Sequence, residues 1–401
     1  MTGLRPELRR DPPVDLSDIT EHPGLAAKIR YEVERAGPMP FERFMDLALY
    51  DPDGGYYRSA EARPGRAGDF ITAPELHPIF GEMLGRAMAQ VWDALGRPEP
   101  FVITEHGAGE GAMAVPLLRT TPAAVRYAPL EVDQRRLAAI HARLDEAGLG
   151  DRLESEPATP FDGVVLANEV LDALPVHRVR RRGEQLRELA VDVDADGAFV
   201  EVEVEPTTHA LADRLASEGI VLADGQTAEV CLEFDRWIAD ATASVRRGLL
   251  LLIDYGAPAA ELYDPRRRRD GTLRAYVRHQ VHGDPYRFVG RQDLTAHVDV
   301  TAIERAAHAN GLETVGITTQ AEALIGLGIE DRLREIQADP ATTMEAYALL
   351  RSALIRLLDP AAMGRFRVMA FGRQWPDDAK LGLFSYRMPR RPGVAVDPSA
   401  H

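Results

Sequence analysis

The stretch Glu105-His106-Gly107-Ala108-Gly109-Glu110-Gly111 decides the fold, because it follows a short buried strand at residues 101–104 and precedes a helix. Gly107 permits a tight reversal of the chain, Gly109 lets a ligand approach the backbone, and Gly111 allows the next helix to sit close. A strand, a glycine-rich turn and a helix in this order predict a cofactor site in an α/β protein.

The sequence around this turn alternates strands and helices. Further strands are predicted at residues 126–131, 161–167, 248–255 and 366–371, and a helix is predicted to open at Asp133. Such alternation implies a mostly parallel sheet with helices on both faces. The roughly 80 residues between the second and third of these strands are too many for one crossover helix, so we expect an insertion there.

The chain divides into segments of different character. We expect a loose tail at 1–20, a helical N-terminal cap and lid at 21–97, the first part of the core at 98–170, an insertion with a β-hairpin and helices at 171–247, a core strand at 248–256, a second insertion at 257–300, the remainder of the core with a helical excursion at 301–375, and a tail at 376–401. Within these segments, residues 186–193 and 198–204 alternate as a hairpin, and residues 74–95 predict one long amphipathic helix.

Composition excludes several classes of function. The net charge of −16 argues against a general nucleic-acid binder, because the chain would repel phosphates. Cys231 is the only cysteine, and the histidines show no helical i, i+4 pairing with an acid, so no disulfide or metal site is expected. No apolar run reaches ~18 residues, and residues 1–10 lack the apolar segment of a secretory signal. We therefore expect a bacterial cytoplasmic protein without membrane insertion.

Polar side chains surround the predicted glycine turn. Glu131 lies 20 residues after Gly111, at the end of the next strand, where a carboxylate can accept hydrogen bonds from both ribose hydroxyls of an adenosyl group. Glu105 stands where it can hold a methionine ammonium, whereas it would repel a pyrophosphate. Asn168 and Glu169 end a third strand at the same sheet edge, where open α/β sheets bind ligands.

The turn by itself leaves other interpretations open. Gly107, Gly109 and Ala112 also satisfy the dinucleotide pattern G-x-G-x-x-G/A, so a nicotinamide or flavin enzyme is an alternative. The glycines can also form a purely structural turn. In the alternative interpretations, Glu105 merely caps the N-terminus of the next helix, and the segment after Asn168 is a solvated loop.

Several further motifs together resemble the MidA-type methyltransferases, a family with mitochondrial and bacterial members. Besides the glycine turn, the matching segments are residues 68–75, 80–82, 168–175, 254–256, 271–276, 293–299 and 363–364. They cover roughly residues 25–375 in order, which makes the resemblance specific although each motif is modest alone. Family members commonly have Gly-Pro-Gly-Arg-Gly in the turn, so His106 and Glu110 make this turn more acidic than theirs.

The resemblance implies a class I methyltransferase (Rossmann-like) fold. This fold has a seven-stranded sheet with the last strand antiparallel, here with a helical N-terminal cap and two insertions. The resemblance also implies S-adenosylmethionine as the cofactor. The resemblance includes a mitochondrial relative, for which it implies methylation of an arginine on a respiratory complex I subunit. A protein substrate is therefore expected for this chain.

Acids near the transferred methyl group are the predicted catalytic residues. Glu169 and Asp172 are expected to pair with a guanidinium and take its proton as the new bond forms. His177 is a further candidate base or substrate contact, with a structural hydrogen bond as the alternative. The segment that contains Gly68, Asp69 and Thr72 is expected to fold over the cofactor as a lid, although Thr72 can equally act as a helix N-cap.

The sequence leaves three rival functions. A nicotinamide-dependent oxidoreductase would bind a dinucleotide, and a non-catalytic assembly factor would bind S-adenosylmethionine without forming a product. A small-molecule methyltransferase would share the fold and cofactor but not the protein substrate. The large insertions favour a large substrate, because they can build a rim over the sheet edge.

Overall fold

The architecture is described from a computed structural model. It covers residue 16 and residues 18–59, 71–155, 159–278 and 280–389. Gly68 and Asp69, two of the residues expected in the lid, lie outside these described residues.

Strands in the described ranges form one large sheet and three smaller assemblies. In chain order they are β1 (Met39–Pro40), β2 (Phe101–His106), β3 (Val125–Leu130), β4 (Phe161–Asn168), β5 (His177–Arg182), β6 (Gln185–Val193), β7 (Phe199–Val204), β8 (Thr227–Val230), β9 (Val245–Asp254), β10 (Gly256–Ala257), β11 (Arg274–Val277), β12 (Gln280–His282), β13 (Asp293–Thr295), β14 (Val298–Asp299), β15 (Glu313–Thr319) and β16 (Arg367–Arg373).

Helices cover both faces of the large sheet. The α-helices are α1 (Pro23–Ala36), α2 (Phe41–Tyr50), α3 (Ala73–Leu76), α4 (Ile79–Ala94), α5 (Ala114–Arg119), α6 (Gln134–Glu146), α7 (Ala210–Ser217), α8 (Phe234–Thr242), α9 (Ala259–Leu262), α10 (Val300–Ala309), α11 (Gln320–Gly326), α12 (Ile329–Ala338) and α13 (Met344–Leu358). Short 3₁₀ turns occupy Tyr56–Arg58, Gly150–Arg152, Leu171–Ala173, Met363–Arg365 and Gly382–Phe384.

The large sheet has the strand order β15-β16-β9-β4-β2-β3. Strands β3, β2, β4 and β9 are parallel, and β16 runs antiparallel to both of its neighbours. Among the described residues, the large sheet thus contains six strands, one fewer than the seven expected. Beyond β3, the described residues form an isolated parallel bridge between Tyr127 and Leu153, directly after the 3₁₀ turn Gly150–Arg152.

Alternate residues of the central strands face opposite layers, so the sheet is buried on both sides. Val102, Val165 and Leu250 pack with apolar residues of α1, α2, α8 and α10. Ile103 and Val164 face the other way and pack with α4, α5, α6, α11 and α13. This burial leaves the carboxyl ends of the parallel strands as the open edge where polar side chains collect.

The insertion between β4 and β9 carries a second sheet. Its strands have the order β1-β6-β5-β8, and β7 pairs with β6. The predicted hairpin is present, with Val193 opposite Phe199 across a turn at residues 194–198. The sheet joins the insertion to the N-terminal region, because Met39 of β1 pairs with Val191 of β6.

The prediction of one long helix at 74–95 is wrong. The structure divides this segment into α3 and α4, with His77 in an extended conformation between them. His77 precedes Pro78, and the proline ring disfavours helical dihedrals in the residue before it. The break directs α3 toward the sheet edge, while α4 packs across the sheet face.

Candidate active site

The glycine turn reverses the chain between β2 and α5 through three residues with positive φ. The φ angles are +65° at Gly107, +55° at Gly109 and +72° at Gly111, a region that L side chains rarely adopt. A Cβ on Gly111 would lie 2.9 Å from Cγ1 of Ile140 in α6, whereas a Cβ on Gly109 would meet no heavy atom within 4 Å. Gly111 therefore permits close packing of the protein, and Gly109 presents its backbone to open space.

Glu131 joins this turn to the end of β3. Its carboxylate accepts hydrogen bonds from the backbone N–H groups of Gly109 at 2.9 Å, Val132 at 2.8 Å and Asp133 at 3.2 Å. A carboxylate has about four acceptor positions, so these contacts leave room for about one more. Glu131 therefore lies at the end of the strand, as predicted. Its carboxylate has fewer free acceptor positions than hydrogen bonds from two ribose hydroxyls would need.

A cavity of about 440 Å³ opens over the turn at the carboxyl ends of the strands. Its walls combine the turn with apolar and aromatic side chains, including Leu130 and Val132, which are 44% and 39% exposed. The predicted residues that line it are Thr72, Glu105, Gly107, Gly109, Glu131, Asn168 and Glu169. Gly111 is beneath the turn and does not line the cavity.

Glu105 is buried at the base of the cavity, where its carboxylate accepts a hydrogen bond from the Tyr127 hydroxyl. The pKa of Glu105 is about 7. Burial raises it, and the hydrogen bond from Tyr127 opposes part of this increase. The neighbouring His106 packs edge-on against Trp237, and burial lowers its pKa to about 4. A cation placed beside Glu105 would favour the ionised carboxylate.

Asn168 and Glu169 extend from the end of β4 toward α3. Asn168 Nδ2 donates to Glu169 Oε1 at 3.2 Å, and the backbone N–H of Ala73 donates to the same oxygen at 3.2 Å. Thr72 forms a capping box with Glu75 at the start of α3 and also lines the cavity. It therefore has both of the roles considered for it. Asn168 Oδ1 is buried and has no hydrogen-bond partner among the described residues, which leaves it available to a ligand donor.

A second cavity of about 200 Å³ adjoins the first, and Glu169 and Tyr57 line both. Asp172 lines the second cavity and accepts a hydrogen bond from the Tyr255 hydroxyl. Asp254, at the end of β9, accepts hydrogen bonds from the backbone N–H groups of Leu171 at 3.0 Å and Asp172 at 3.2 Å. Asp254 thereby holds the loop that carries Asp172.

Three carboxyl groups meet where the cavities join, and all have raised pKa values. Burial, followed by the charge of Asp172, raises the pKa of Glu169 to about 8. Burial raises the pKa of Asp172 to about 6. The pKa of Asp254 is also raised, by burial and then by Asp172 and Glu169. Acids whose pKa values lie this close to neutral pH can exchange a proton with a bound substrate near physiological pH.

The structure does not bring His177 together with the other predicted catalytic residues. It lies in β5 of the second sheet, where Nδ1 is 2.7 Å from Oε1 of the buried Glu188. Glu188 also accepts hydrogen bonds from the backbone N–H and hydroxyl of Thr207. His177 lines neither cavity, and its contacts are those of a buried structural hydrogen bond.

Sequence reasoning missed the aromatic and acidic residues that distant segments contribute. Tyr57 donates a hydrogen bond to Asp293 Oδ1 at 2.8 Å across the second cavity, and its ring stacks on Tyr50. Tyr276 of β11 lines the same cavity. The only signal in the sequence was that Tyr276 and Asp293 fall within two of the motifs shared with the resembled family.

In the described ranges, no group of three or more histidine, cysteine, aspartate and glutamate side chains is arranged to hold a metal ion. No helix in the same ranges has both the length and the apolar character needed to cross a membrane.

Known proteins match this chain over most of its length. Residues 83–318 match the family described as "Putative S-adenosyl-L-methionine-dependent methyltransferase". A structure from Burkholderia thailandensis, described as a "likely methyl transferase" bound to S-adenosyl-homocysteine, is 36% identical with a TM-score of 0.81, over 90% of this chain and 95% of that chain. The mitochondrial protein arginine methyltransferase NDUFAF7 homolog of Drosophila melanogaster is 29% identical over 87% of this chain and 85% of its own length. The mouse NDUFAF7 protein is 28% identical over 85% of this chain and 83% of its own length.

The α/β sheet, the glycine turn and these matches define an S-adenosylmethionine-dependent methyltransferase. The chain belongs to the matched methyltransferase family, which confirms the resemblance noted from its sequence motifs. Its cofactor is S-adenosylmethionine, and the family decides against the nicotinamide-dependent alternative.

Proposed function

We propose that this enzyme methylates an arginine side chain of a protein substrate. The observation that carries the proposal is the junction of the two cavities, where Glu169 and Asp172 offer two carboxyl groups to a cationic acceptor. The names of the Drosophila and mouse relatives, both protein arginine methyltransferases, support arginine as that acceptor. The Burkholderia structure supports a bacterial setting, and we keep the cytoplasm as the predicted compartment.

The larger cavity is the proposed cofactor site. We assign Gly107 and Gly109 to the backbone surface beneath the ligand, and Gly111 to the packing of α6 that keeps this surface in place. Glu131 and the unpartnered oxygen of Asn168 are the proposed partners of its polar groups, and Glu105 is the proposed partner of its ammonium. When bound, S-adenosylmethionine supplies a methyl group already activated by a positively charged sulfur.

Thr72 and the lid segment with Gly68 and Asp69 are proposed to close this cavity. Thr72 caps α3 at the cavity wall, so this described residue of the predicted lid adjoins the proposed cofactor site. Closure would exclude water from the junction and strengthen the charge interactions there.

The smaller cavity is the proposed acceptor site. A guanidinium has a pKa above ~12, so it enters as a cation and must lose a proton as the new nitrogen–carbon bond forms. Glu169 and Asp172 would hold the guanidinium by charge-assisted hydrogen bonds, which lower the pKa values of both carboxyl groups. One carboxylate then accepts the proton that the nitrogen releases.

The test is methyl transfer from labelled S-adenosylmethionine to proteins of a bacterial lysate, followed by acid hydrolysis and detection of methylated arginine. Glu169→Gln and Asp172→Asn should each lower the rate by about 10²–10⁴-fold, the usual contribution of acid–base groups. Glu330→Gln is the control, because Glu330 is an exposed carboxylate on α12 far from both cavities.

Each rival function has its own result in this experiment. Label on small molecules only would identify a small-molecule methyltransferase. Binding of S-adenosylhomocysteine with no labelled product would identify an assembly factor without catalysis. Methylated arginine formed at an unchanged rate by both site variants would contradict the assignment of Glu169 and Asp172.

A further inference from the structure

Three arginines lie at or near the smaller cavity. Arg365 lines the cavity beside His297. Arg274 of β11 stands opposite Thr295 of β13, and Thr295 also lines the cavity. The charges of Arg268, Arg365 and Arg274 act on His297, whose pKa is lowered to about 3 by burial first and then by these arginines. Positive charges from distant parts of the sequence thus come together beside this cavity.

These arginines lack the carboxylate partners that neighbouring arginines have. Arg267 pairs with Asp264, and Arg367 pairs with Glu261. Among the described residues, no comparable ion pair forms at Arg268, Arg274 or Arg365, although acidic residues outnumber basic ones by 63 to 47 in the chain.

Mutual repulsion is evident at the half-buried member of the cluster. The pKa of Arg268 is lowered by burial and then by Arg365 and Arg274, and the opposing effect of Glu229 is smaller. Arg268 is half-buried, whereas Arg266, Arg267 and Arg269 beside it are exposed. A site that keeps like charges together without a counter-ion gains stability when an anion binds.

The same cavity is also lined by three acids, Glu169, Asp172 and Asp293. Tyr276 lines it too, and its pKa is raised first by burial and then by Asp172 and Asp293, while Arg274 lowers it. The cavity therefore carries negative charge at Glu169, where it joins the larger cavity, and positive charge at Arg365.

We propose that the acceptor carries a carboxylate next to its guanidinium, and that Arg365, Arg274 and Arg268 bind this carboxylate. This inference rests on the proposed arginine acceptor and adds to it the chemistry of the adjoining group. In this arrangement the guanidinium lies against Glu169 and Asp172, and the carboxylate lies against the arginines. Two sources have this chemistry, namely an acidic side chain near the arginine and the free carboxylate of a C-terminal arginine.

The test uses the full-length enzyme, labelled S-adenosylmethionine and synthetic peptides with one arginine among glycine, alanine and serine. One series places glutamate at each position within three residues of the arginine, with glutamine as the matched neutral peptide. A second series ends in arginine with a free or an amidated carboxyl group, which distinguishes the two sources.

We expect kcat/KM to favour the best carboxylate peptide over its neutral counterpart at least ~5-fold, the upper range for a partly exposed charge pair. Arg365→Gln should reduce this preference to ~2-fold or less, and 0.5 M salt should reduce it in the wild type. Arg266→Gln is the matched control, since this exposed arginine is nearby in sequence but does not line the cavity. The control should keep the full preference.

The outcomes separate the two proposals. Methylation of acidic and neutral peptides at equal rates overturns the carboxylate site and leaves the arginine acceptor standing. A preference that Arg365→Gln and Arg266→Gln reduce equally also overturns the site. Failure of every arginine peptide to be methylated, while S-adenosylhomocysteine still binds, overturns the proposed function and the carboxylate site with it.

Discussion

Adding one methyl group at Gly109 or at Gly111 should separate ligand binding from protein stability. Both glycines have positive φ and are two residues apart, yet they face different surroundings. Gly109→Ala should weaken binding of S-adenosylhomocysteine while the fold persists. Gly111→Ala should mainly lower the free energy of unfolding.

The expected magnitudes follow from the two environments. An L-residue at positive φ costs about 1–2 kcal/mol at either site. At Gly111 the new Cβ would lie 2.9 Å from Ile140 Cγ1 and 3.3 Å from Cγ2, which adds overpacking of about 1–3 kcal/mol. We therefore expect Gly111→Ala to lose about 2–5 kcal/mol and Gly109→Ala about 1–2 kcal/mol.

Urea unfolding measures the stability of both variants, and calorimetry with S-adenosylhomocysteine measures their affinity. The methyl group of Gly109→Ala projects into the cavity, so we expect affinity to fall at least ~10-fold, equivalent to about 1.4 kcal/mol. Gly111→Ala, measured at a temperature where it remains folded, should keep an affinity closer to that of the wild type.

The outcome that refutes this reasoning is specific. If Gly109→Ala binds S-adenosylhomocysteine as tightly as the wild type, its backbone does not contact the ligand. Equal unfolding midpoints for the two variants would show that the contact between the turn and α6 does not limit stability.

Four further predictions concern buried polar residues in the site and in the second sheet. Because the pKa values of Glu169 and Asp172 are raised to about 8 and about 6, kcat/KM should rise between pH 6 and 8, and Glu169→Gln should remove the upper part of this rise. A raised folded-state pKa also means that stability falls as pH increases from ~4.5 to ~8, so urea unfolding at pH 5 and pH 8 should differ less in Glu169→Gln; an equal difference would contradict this. His177→Gln should cost about 1–3 kcal/mol, because Glu188 is buried, but leave methyl transfer intact; a large loss of kcat in folded protein would restore His177 to the site. Asp254→Ala should lower both stability and kcat, because the loop that carries Asp172 loses two hydrogen bonds; unchanged kcat would show that this support is dispensable.

The central strands and the glycine turn could be predicted from sequence because local chemistry determines them. The continuous apolar residues at 164–167 specify a strand buried on both faces, and only glycine adopts the backbone of Gly107 and Gly109 without strain. Parallel strands also bring their carboxyl ends together, so the places of Glu131 and Asn168 follow from the strand pattern. The division of the helix at 74–95 had a readable signal in Pro78, which the apolar periodicity obscured.

The acceptor cavity could not be predicted in the same way, because contacts across long stretches of chain build it. Tyr57 and Asp293 are 236 positions apart and meet through one hydrogen bond. His177 follows the site loop closely in sequence, yet β5 carries it into another sheet. Closeness in sequence to the site loop was therefore a poor indicator of the position of His177, because the chain leaves the sheet edge there. The family motifs, which include Tyr276 and Asp293, indicated the cavity residues better.

The isolated bridge beside β3 determines how this sheet ends. An outermost strand normally presents free backbone groups that can pair with another chain and lead to aggregation. Here Arg152 Nε donates to the carbonyl of Val125, the N–H of Glu154 donates to the carbonyl of Tyr127, and Pro129 has no N–H to offer. These contacts occupy backbone groups that β3 would otherwise offer to another chain, so the strand that leads to Glu131 is a poor template for β-sheet growth.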